Sequence, residues 1–305
     1  MTGPLPIFVL GIQRSGTTLL GNTLCAHPDI AGVQAEFHHG IHESVFFSHY
    51  ARIFGSWSDP AARHNAVEAF LRSDYFLLTG ANAEAAREVA RAARTPAVLL
   101  RFAMDELCAR EGARAWVEKS PHHTLLASRI LADLPDARFI GVVRETASLV
   151  RSRLWAFGRR PPPYPRRAVA IVRASASNRF HARAMAGFVR DAGPARAALV
   201  RFEDLRSDPE AALDPILERF GLAPLGAARS NFEKNSSFDG PSGSAKGITF
   251  ADRLLLTVSD RASSLVPQPV FAWGKAALAK HRPPAFPSWV ETRALDSFRE
   301  SADKS

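Results

Sequence analysis

Residues 11–18 read Gly-Ile-Gln-Arg-Ser-Gly-Thr-Thr. Two glycines at this spacing, directly before a helical pattern, form the loop in which backbone N–H groups and a helix N-terminus converge on phosphate oxygens. A nucleotide-hydrolysing loop needs a lysine after the second glycine. Thr17 stands there, and the basic group is Arg14, so the loop suits a phosphate-like anion better than it suits ATP chemistry. Arg144 closes the apolar run 138–144, where a guanidinium can pair with a phosphate through two hydrogen bonds. Ser152 follows two helical turns later. A lone helix serine ordinarily faces solvent, but with a phosphate loop upstream and Arg144 beside it, Ser152 reads as a second hydroxyl for an anion. Lys119 belongs to Glu118-Lys119-Ser120-Pro121 and is the only lysine before residue 234 in a chain whose 39 basic residues are nearly all arginine. A compact ammonium at a strand end can stabilise charge on a departing oxygen.

These residues need a scaffold, and the pattern supplies one. The run 6–12 is a buried strand leading into the loop and then a helix through Leu24, which His27-Pro28-Asp29 ends. Ala115 to Glu118 is a second strand, with Ser120 and Pro121 opening a helix to Leu134. Arg138 to Arg144 is a third strand, after which Thr146 caps a helix to Phe157. Ala197 to Phe202 is another strand, and Asp208-Pro209-Glu210 opens a helix ending at Gly221. Residues 59–72, 83–94 and 101–110 read as covering helices, and a long Ala/Arg helix runs to Asp191. Four prolines between Arg159 and Arg167 make a stiff loop there. Strands alternating with such helices predict an α/β fold of three layers, a central parallel sheet with helices on both faces and ligands at the strands' carboxyl ends. One domain over 1–282 and an irregular tail over 283–305 are expected.

Composition narrows the function. The chain has 305 residues, 46% of them apolar and 23% charged, which excludes wholesale disorder. A formal charge of +9 suits a polyanionic partner. No helix-turn-helix, RNA-binding or zinc pattern accompanies that charge, so nucleic acid is not the expected partner. Two cysteines, Cys25 and Cys108, make no disulfide framework and no metal spacing. No apolar run has the length of a membrane span and no signal segment opens the chain, so a cytoplasmic protein without a transmembrane segment is expected.

The Arg14-Ser15-Gly16-Thr17-Thr18-Leu19 loop, with Val143-Arg144-Glu145 and Ser152 downstream, resembles the sulfotransferases that use 3'-phosphoadenosine 5'-phosphosulfate (PAPS), particularly the tyrosylprotein branch and its bacterial relatives. The resemblance covers residues 6–222 and implies the P-loop NTPase-like sulfotransferase fold. It assigns Arg14, Ser15, Gly16, Thr17 and Thr18 to the 5'-phosphosulfate, Arg144 and Ser152 to the 3'-phosphate, and Lys119 to the phosphosulfate bridge. It gives the general-base role to Glu36, since an acceptor hydroxyl is a poor nucleophile until a carboxylate takes its proton. His38, His39 and His42 are alternative bases, and Glu36/His38/His42 imitates a metal site without having its usual spacing. The segment Val200-Arg201-Phe202-Glu203-Asp204-Leu205 resembles a family segment in which tyrosine stands at the position of Phe202. Lys246-Gly247 resembles a basic loop that closes over the donor. The resemblance implies sulfuryl transfer to a hydroxyl or phenol of a small molecule, sugar, lipid or peptide, in line and with no metal, leaving adenosine 3',5'-bisphosphate. The alternatives are a P-loop nucleotide or small-molecule kinase and a non-catalytic basic nucleic-acid-binding protein.

Overall fold

The computed structural model describes residues 3–35, 39–156, 160–226 and 247–273. Seven strands occur among them: β1 (Leu5–Leu10), β2 (Ile30–Gly32), β3 (Gln34–Ala35), β4 (Gly40–Ile41), β5 (Ala115–Lys119), β6 (Arg138–Val143) and β7 (Ala197–Arg201). β3 and β4 form a small antiparallel hairpin. The other five make one sheet, ordered β2-β5-β1-β6-β7, in which every pairing is parallel. The helices are α1 (Thr17–Cys25), α2 (Ala51–Ile53), α3 (Pro60–Leu71), α4 (Asp74–Thr79), α5 (Ala83–Ala92), α6 (Ala97–Glu111), α7 (Ala127–Asp133), α8 (Thr146–Leu154), α9 (Arg166–Ala192), α10 (Phe202–Ser207), α11 (Pro209–Arg219) and α12 (Phe250–Leu265).

The period of two along each strand decides which layer a residue joins. Ile7 and Val9 of β1 lie with Val117, Ile140 and Val142 on one face, packed on Leu20 and Leu24 of α1 and Leu213 and Leu217 of α11. Phe8 and Leu10 turn to the opposite face, with Trp116 and Phe139, against Leu99, Leu100 and Met104 of α6 and Met185 of α9. Phe8 stacks on Phe139 at 5.5 Å between ring centroids and meets Trp116 edge-on at the same distance. Both faces are therefore covered, and the strands read as continuous apolar runs because neither side meets water. The three-layer α/β fold is the expected one.

β1 lies at the centre, and that position organises the site. Its onward connection runs through α1 to β2 on one side, whereas β6 leads through α8 and α9 to β7 on the other. Strands whose connections diverge leave a crevice at their carboxyl ends. The loop after β1 and Arg144 after β6 share that crevice, and Lys119 ends β5 on the other flank, paired in register with Val9.

The elements depart from expectation in several places, beginning with β2 and the β3–β4 hairpin, which no expectation covered. After Ser120 the chain forms a 3-10 segment, Pro121–Leu126, before α7. The tight winding lets the Thr124 hydroxyl accept the Gly11 N–H and donate to the Gly11 carbonyl, both at 2.8 Å, which fastens the phosphate loop to this segment. Thr146 does not cap α8. Glu145 occupies that position without a side-chain cap, and the Thr146 hydroxyl accepts a hydrogen bond from Asn178 of α9. Finally, α12 packs on α9 although no expectation placed a helix there. A capping box of Thr249 and Asp252 opens it. The expected tail over 283–305, like Lys246, Glu36 and His38, lies outside the described residues.

Candidate active site

Gly16 begins α1 with φ of 108°, a left-handed conformation that glycine adopts at low cost. A Cβ there would stand 2.3 Å from the Phe202 ring, so the loop requires glycine for space as well. Arg14 also has positive φ, 74°, which a side-chain-bearing residue adopts only when its surroundings enforce it. Arg144 provides part of that enforcement, because its Nη1 donates to the Arg14 carbonyl at 3.0 Å. The Arg14 Nε donates to the Ser152 hydroxyl at 3.2 Å, and Ser152 is buried. Three residues assigned from separate stretches of sequence thus meet at one point.

Two further residues complete the cluster. Arg153 donates from Nε and Nη2 to the Gln13 carbonyl, adding a third guanidinium to the loop. Phe202 lies under Arg144 with the guanidinium carbon 4.0 Å from the ring centroid, so one aromatic ring packs on Gly16 and carries Arg144. Sequence reasoning read Phe202 for fold alone and passed over Arg153. The Arg151-Ser152-Arg153 triplet was the available signal, but helical rotation between its arginines needs a structure to resolve.

The electrostatics single this cluster out. Burial pushes the Arg144 guanidinium down to about 10; Glu203 opposes the shift, and Arg14, Arg151 and Arg206 add to it. Burial and then Arg14 bring Arg153 down to about 10 as well. Burial lowers Arg14 too. Cations taken out of water beside other cations are poised for an anion, whose arrival would relieve both penalties. The Ser15 hydroxyl is fully buried and has no hydrogen-bond partner among the described residues. A buried orphan hydroxyl in a glycine loop fits a phosphate-type oxygen acceptor. Thr17 is buried and Thr18 half-buried at the start of α1.

Lys119 is 2% exposed, so it is no solvated surface lysine. Its Nζ donates to Glu43 Oε1 at 2.7 Å, a pairing that sequence reasoning missed because the residues stand 76 apart. Beneath the pair lies Glu118, wholly buried. Its Oε1 accepts from the Ser44 hydroxyl at 2.7 Å, the Ser44 N–H at 3.3 Å and the Ser120 hydroxyl at 2.5 Å. His123 Nε2 accepts the Phe47 N–H, so its proton is on Nδ1, which donates to Glu118 Oε2 at 2.9 Å. Burial alone would raise the Glu118 carboxyl; the His123, Ser120 and Ser44 contacts more than reverse it and hold the group below the usual range. His42, one of the alternative bases, accepts the Glu43 N–H at Nδ1 and meets the Tyr75 ring edge-on. His39 is exposed. Among the described residues no group of three or more His, Cys, Asp or Glu could hold a metal ion, and no helix is long and apolar enough to cross a membrane.

Comparison with known proteins gives the family. The model of a sulfotransferase family matches residues 6–225. No curated protein matches the chain in sequence. Among solved structures, the sulfotransferase domain of the Synechococcus PCC 7002 olefin synthase is similar at 19% identity, covering 99% of this chain and 96% of that one with a TM-score of 0.44. The sulfotransferase domain of the curacin biosynthetic pathway follows at 16% identity, 97% and 98% coverage and a TM-score of 0.46. A sulfotransferase from Alicyclobacillus acidocaldarius has 15% identity, 86% and 93% coverage and a TM-score of 0.48.

Proposed function

The chain belongs to the sulfotransferase family, and from that premise we propose that it moves a sulfuryl group from PAPS to an acceptor hydroxyl or phenol by in-line displacement without a metal. The observation that carries this reading is the meeting of Arg14, Arg144, Arg153 and Ser152 in the crevice between β1 and β6. When bound, the donor supplies an activated sulfuryl group. The chain's residues bind it, shield it from water and balance its charge. Arg14 and the loop from Ser15 to Thr18 hold the phosphosulfate end, with the Ser15 hydroxyl finding its partner there. Arg144 and Ser152 hold the 3'-phosphate, and Arg153 adds charge from the same side. Lys119 acts where negative charge grows on the bridging oxygen, so its contribution rises toward the transition state.

A carboxylate on the acceptor side completes the set. Glu36 is the residue named for this by resemblance, and it lies outside the described residues. Nothing in the site favours a kinase. Thr17 occupies the position of the loop lysine, and Glu118, the acidic residue nearest a strand end, is committed to Ser44, Ser120 and His123. The test is calorimetry with adenosine 3',5'-bisphosphate against adenosine 5'-monophosphate, followed by mass spectrometry of phenols, sugars, lipids and peptides incubated with PAPS. Tighter binding of the bisphosphate and a sulfated product are expected. ATP-dependent transfer that requires Mg²⁺, or tight salt-sensitive DNA binding with no affinity for the bisphosphate, would overturn the reading.

A further inference from the structure

We propose that Glu43 takes the proton of the acceptor hydroxyl and, on becoming neutral, hands the charge of Lys119 over to the departing phosphate oxygen; this deepens the sulfuryl-transfer reading and rests on it. Three observations lead there. Lys119 is almost completely buried, and its ammonium is held at 2.7 Å by a single carboxylate oxygen, Glu43 Oε1. The second oxygen, Oε2, takes no hydrogen bond from any described residue, and the Glu43 side chain keeps 17% of its exposure. One oxygen therefore faces the lysine, and the other has no donor among the described residues.

The third observation is rigidity. Glu43 is pinned on both sides: its own N–H donates to His42 Nδ1, and the next residue, Ser44, spends its N–H and its hydroxyl on Glu118. Val45 donates to the Ser120 hydroxyl and Phe47 to His123 Nε2, so residues 44–47 are sewn to the segment that follows Lys119. Val45 adopts φ of 44°, which a β-branched residue accepts only under such constraint. The two charged groups thus hang from opposite sides of one buried seam, and small displacements of either are suppressed.

The chemistry follows from the pairing. The pairing sets a carboxylate beside a buried ammonium, and each charge offsets the desolvation of the other. In the transfer, the acceptor oxygen forms a bond to sulfur as its proton passes to Glu43 Oε2. The bond from sulfur to the bridging oxygen breaks, and its electron pair remains on the phosphate. Protonation cancels the attraction between Glu43 and Lys119 at the moment charge appears on that oxygen, so the ammonium is released to it without entering water. One proton movement serves both ends of the displacement.

The experiment compares Glu43→Gln with the unmodified protein, using alcohols and a phenol series of rising acidity, with calorimetric Kd for adenosine 3',5'-bisphosphate as the second readout. Glu43→Asp, which keeps a carboxylate, guards against a folding artefact. Glu43→Gln should lower kcat by about 10²-fold or more on alcohols and weakly acidic phenols. Its bisphosphate Kd should stay within about threefold, since no donor contact is removed. On nitrophenols already ionised at the assay pH the deficit should shrink to about tenfold or less, because no proton remains to be taken. Glu43→Asp should recover part of the rate. A Glu43→Gln protein with full kcat, or one with the same deficit across the phenol series, overturns the proposal; the second result would make Glu43 only a holder of Lys119. Either leaves the parent reading intact if the bisphosphate binds. An unmodified protein that neither binds the bisphosphate nor sulfates any acceptor removes the parent reading itself.

Discussion

Two groups of arginines in this molecule sit in opposite electrostatic surroundings. Along the α9–α12 contact, Arg167 pairs with Asp252 and Arg179 with Asp260, while Arg183 donates to the carbonyls of Ser263, Ser264 and Val266. Asp252 is fully buried; burial would raise its carboxyl, yet hydrogen bonds from Tyr164, the Thr249 backbone and Arg167 hold it below the usual range. At the crevice between β1 and β6, Arg14, Arg144 and Arg153 donate to a hydroxyl and to loop carbonyls; burial depresses all three, and repulsion adds to it at Arg144 and Arg153. Two of the first group pair with carboxylates of the fold. In the second, burial lowers every guanidinium, Glu203 offsets part of that at Arg144, and such perturbed cations gathered at a crevice mark a candidate anion site. What distinguishes a structural arginine from a binding one is the partner the fold supplies.

The largest expected effect tests the crevice side. Lys119→Ala should reduce kcat by about 10² to 10³ while the Kd of adenosine 3',5'-bisphosphate changes little, because the ammonium acts on charge that grows only in the transition state. Steady-state kinetics with calorimetry separate the two quantities. An equal loss in binding would place Lys119 among the anion holders and blur the division.

Next come substitutions that should cross over. Arg167→Ala leaves Asp252 buried without its ion-pair partner, and breaking a buried pair costs about 3 to 5 kcal/mol, read as a lower urea midpoint. Donor-product affinity should be unchanged. Arg144→Ala should do the reverse, weakening bisphosphate binding by about 1.5 to 3 kcal/mol, roughly 10- to 150-fold. Its urea midpoint should move less than that of Arg167→Ala, since what it gives up is a hydrogen bond to a loop carbonyl and a ring contact. Acid sharpens the contrast. Asp252 has a depressed carboxyl in the fold, so its contribution is present above the unfolded carboxylate range and is lost as pH falls through the lower folded value. Asp252→Asn should flatten that part of the stability profile, and an unchanged acid limb would mean another group governs it.

What the sequence makes legible follows the same line. The loop from Gly11 to Thr18 and the strand before it were readable because their signal is local: glycine spacing, an apolar run and a helix start within twenty residues. Arg144 and Ser152 were readable as one motif at a strand-to-helix junction. Glu43 was not, since its meaning lies in Lys119, which the parallel pairing of β1 with β5 and the folding of residues 44–47 onto 118–123 bring to it. Arg153 was not, because it is one of many arginines and only the turn of α8 aims it at Gln13. α12 escaped for a different reason. It buries Asp252, Ser259 and Ser263 and exposes Phe250, Leu254, Val258 and Leu265, which inverts the pattern that an apolar-face search expects.

The smallest predicted effect bears on whether the crevice is one unit or a set of separate contacts. Ser152 meets Arg14 at 3.2 Å, so its hydroxyl orients that guanidinium as well as offering a hydrogen bond to phosphate. Ser152→Ala removes one neutral hydroxyl, and a loss of about 1 kcal/mol, near fivefold in bisphosphate Kd, is expected. Arg14→Lys keeps the charge and forfeits the planar fork. If Ser152 works partly through Arg14, the two substitutions together should cost less than their sum by at least about 0.5 kcal/mol, because the second removes an orientation the first has already lost. Calorimetry on the four proteins of the cycle measures this directly. Strict additivity would make Ser152 and Arg14 independent contacts despite the 3.2 Å hydrogen bond between them.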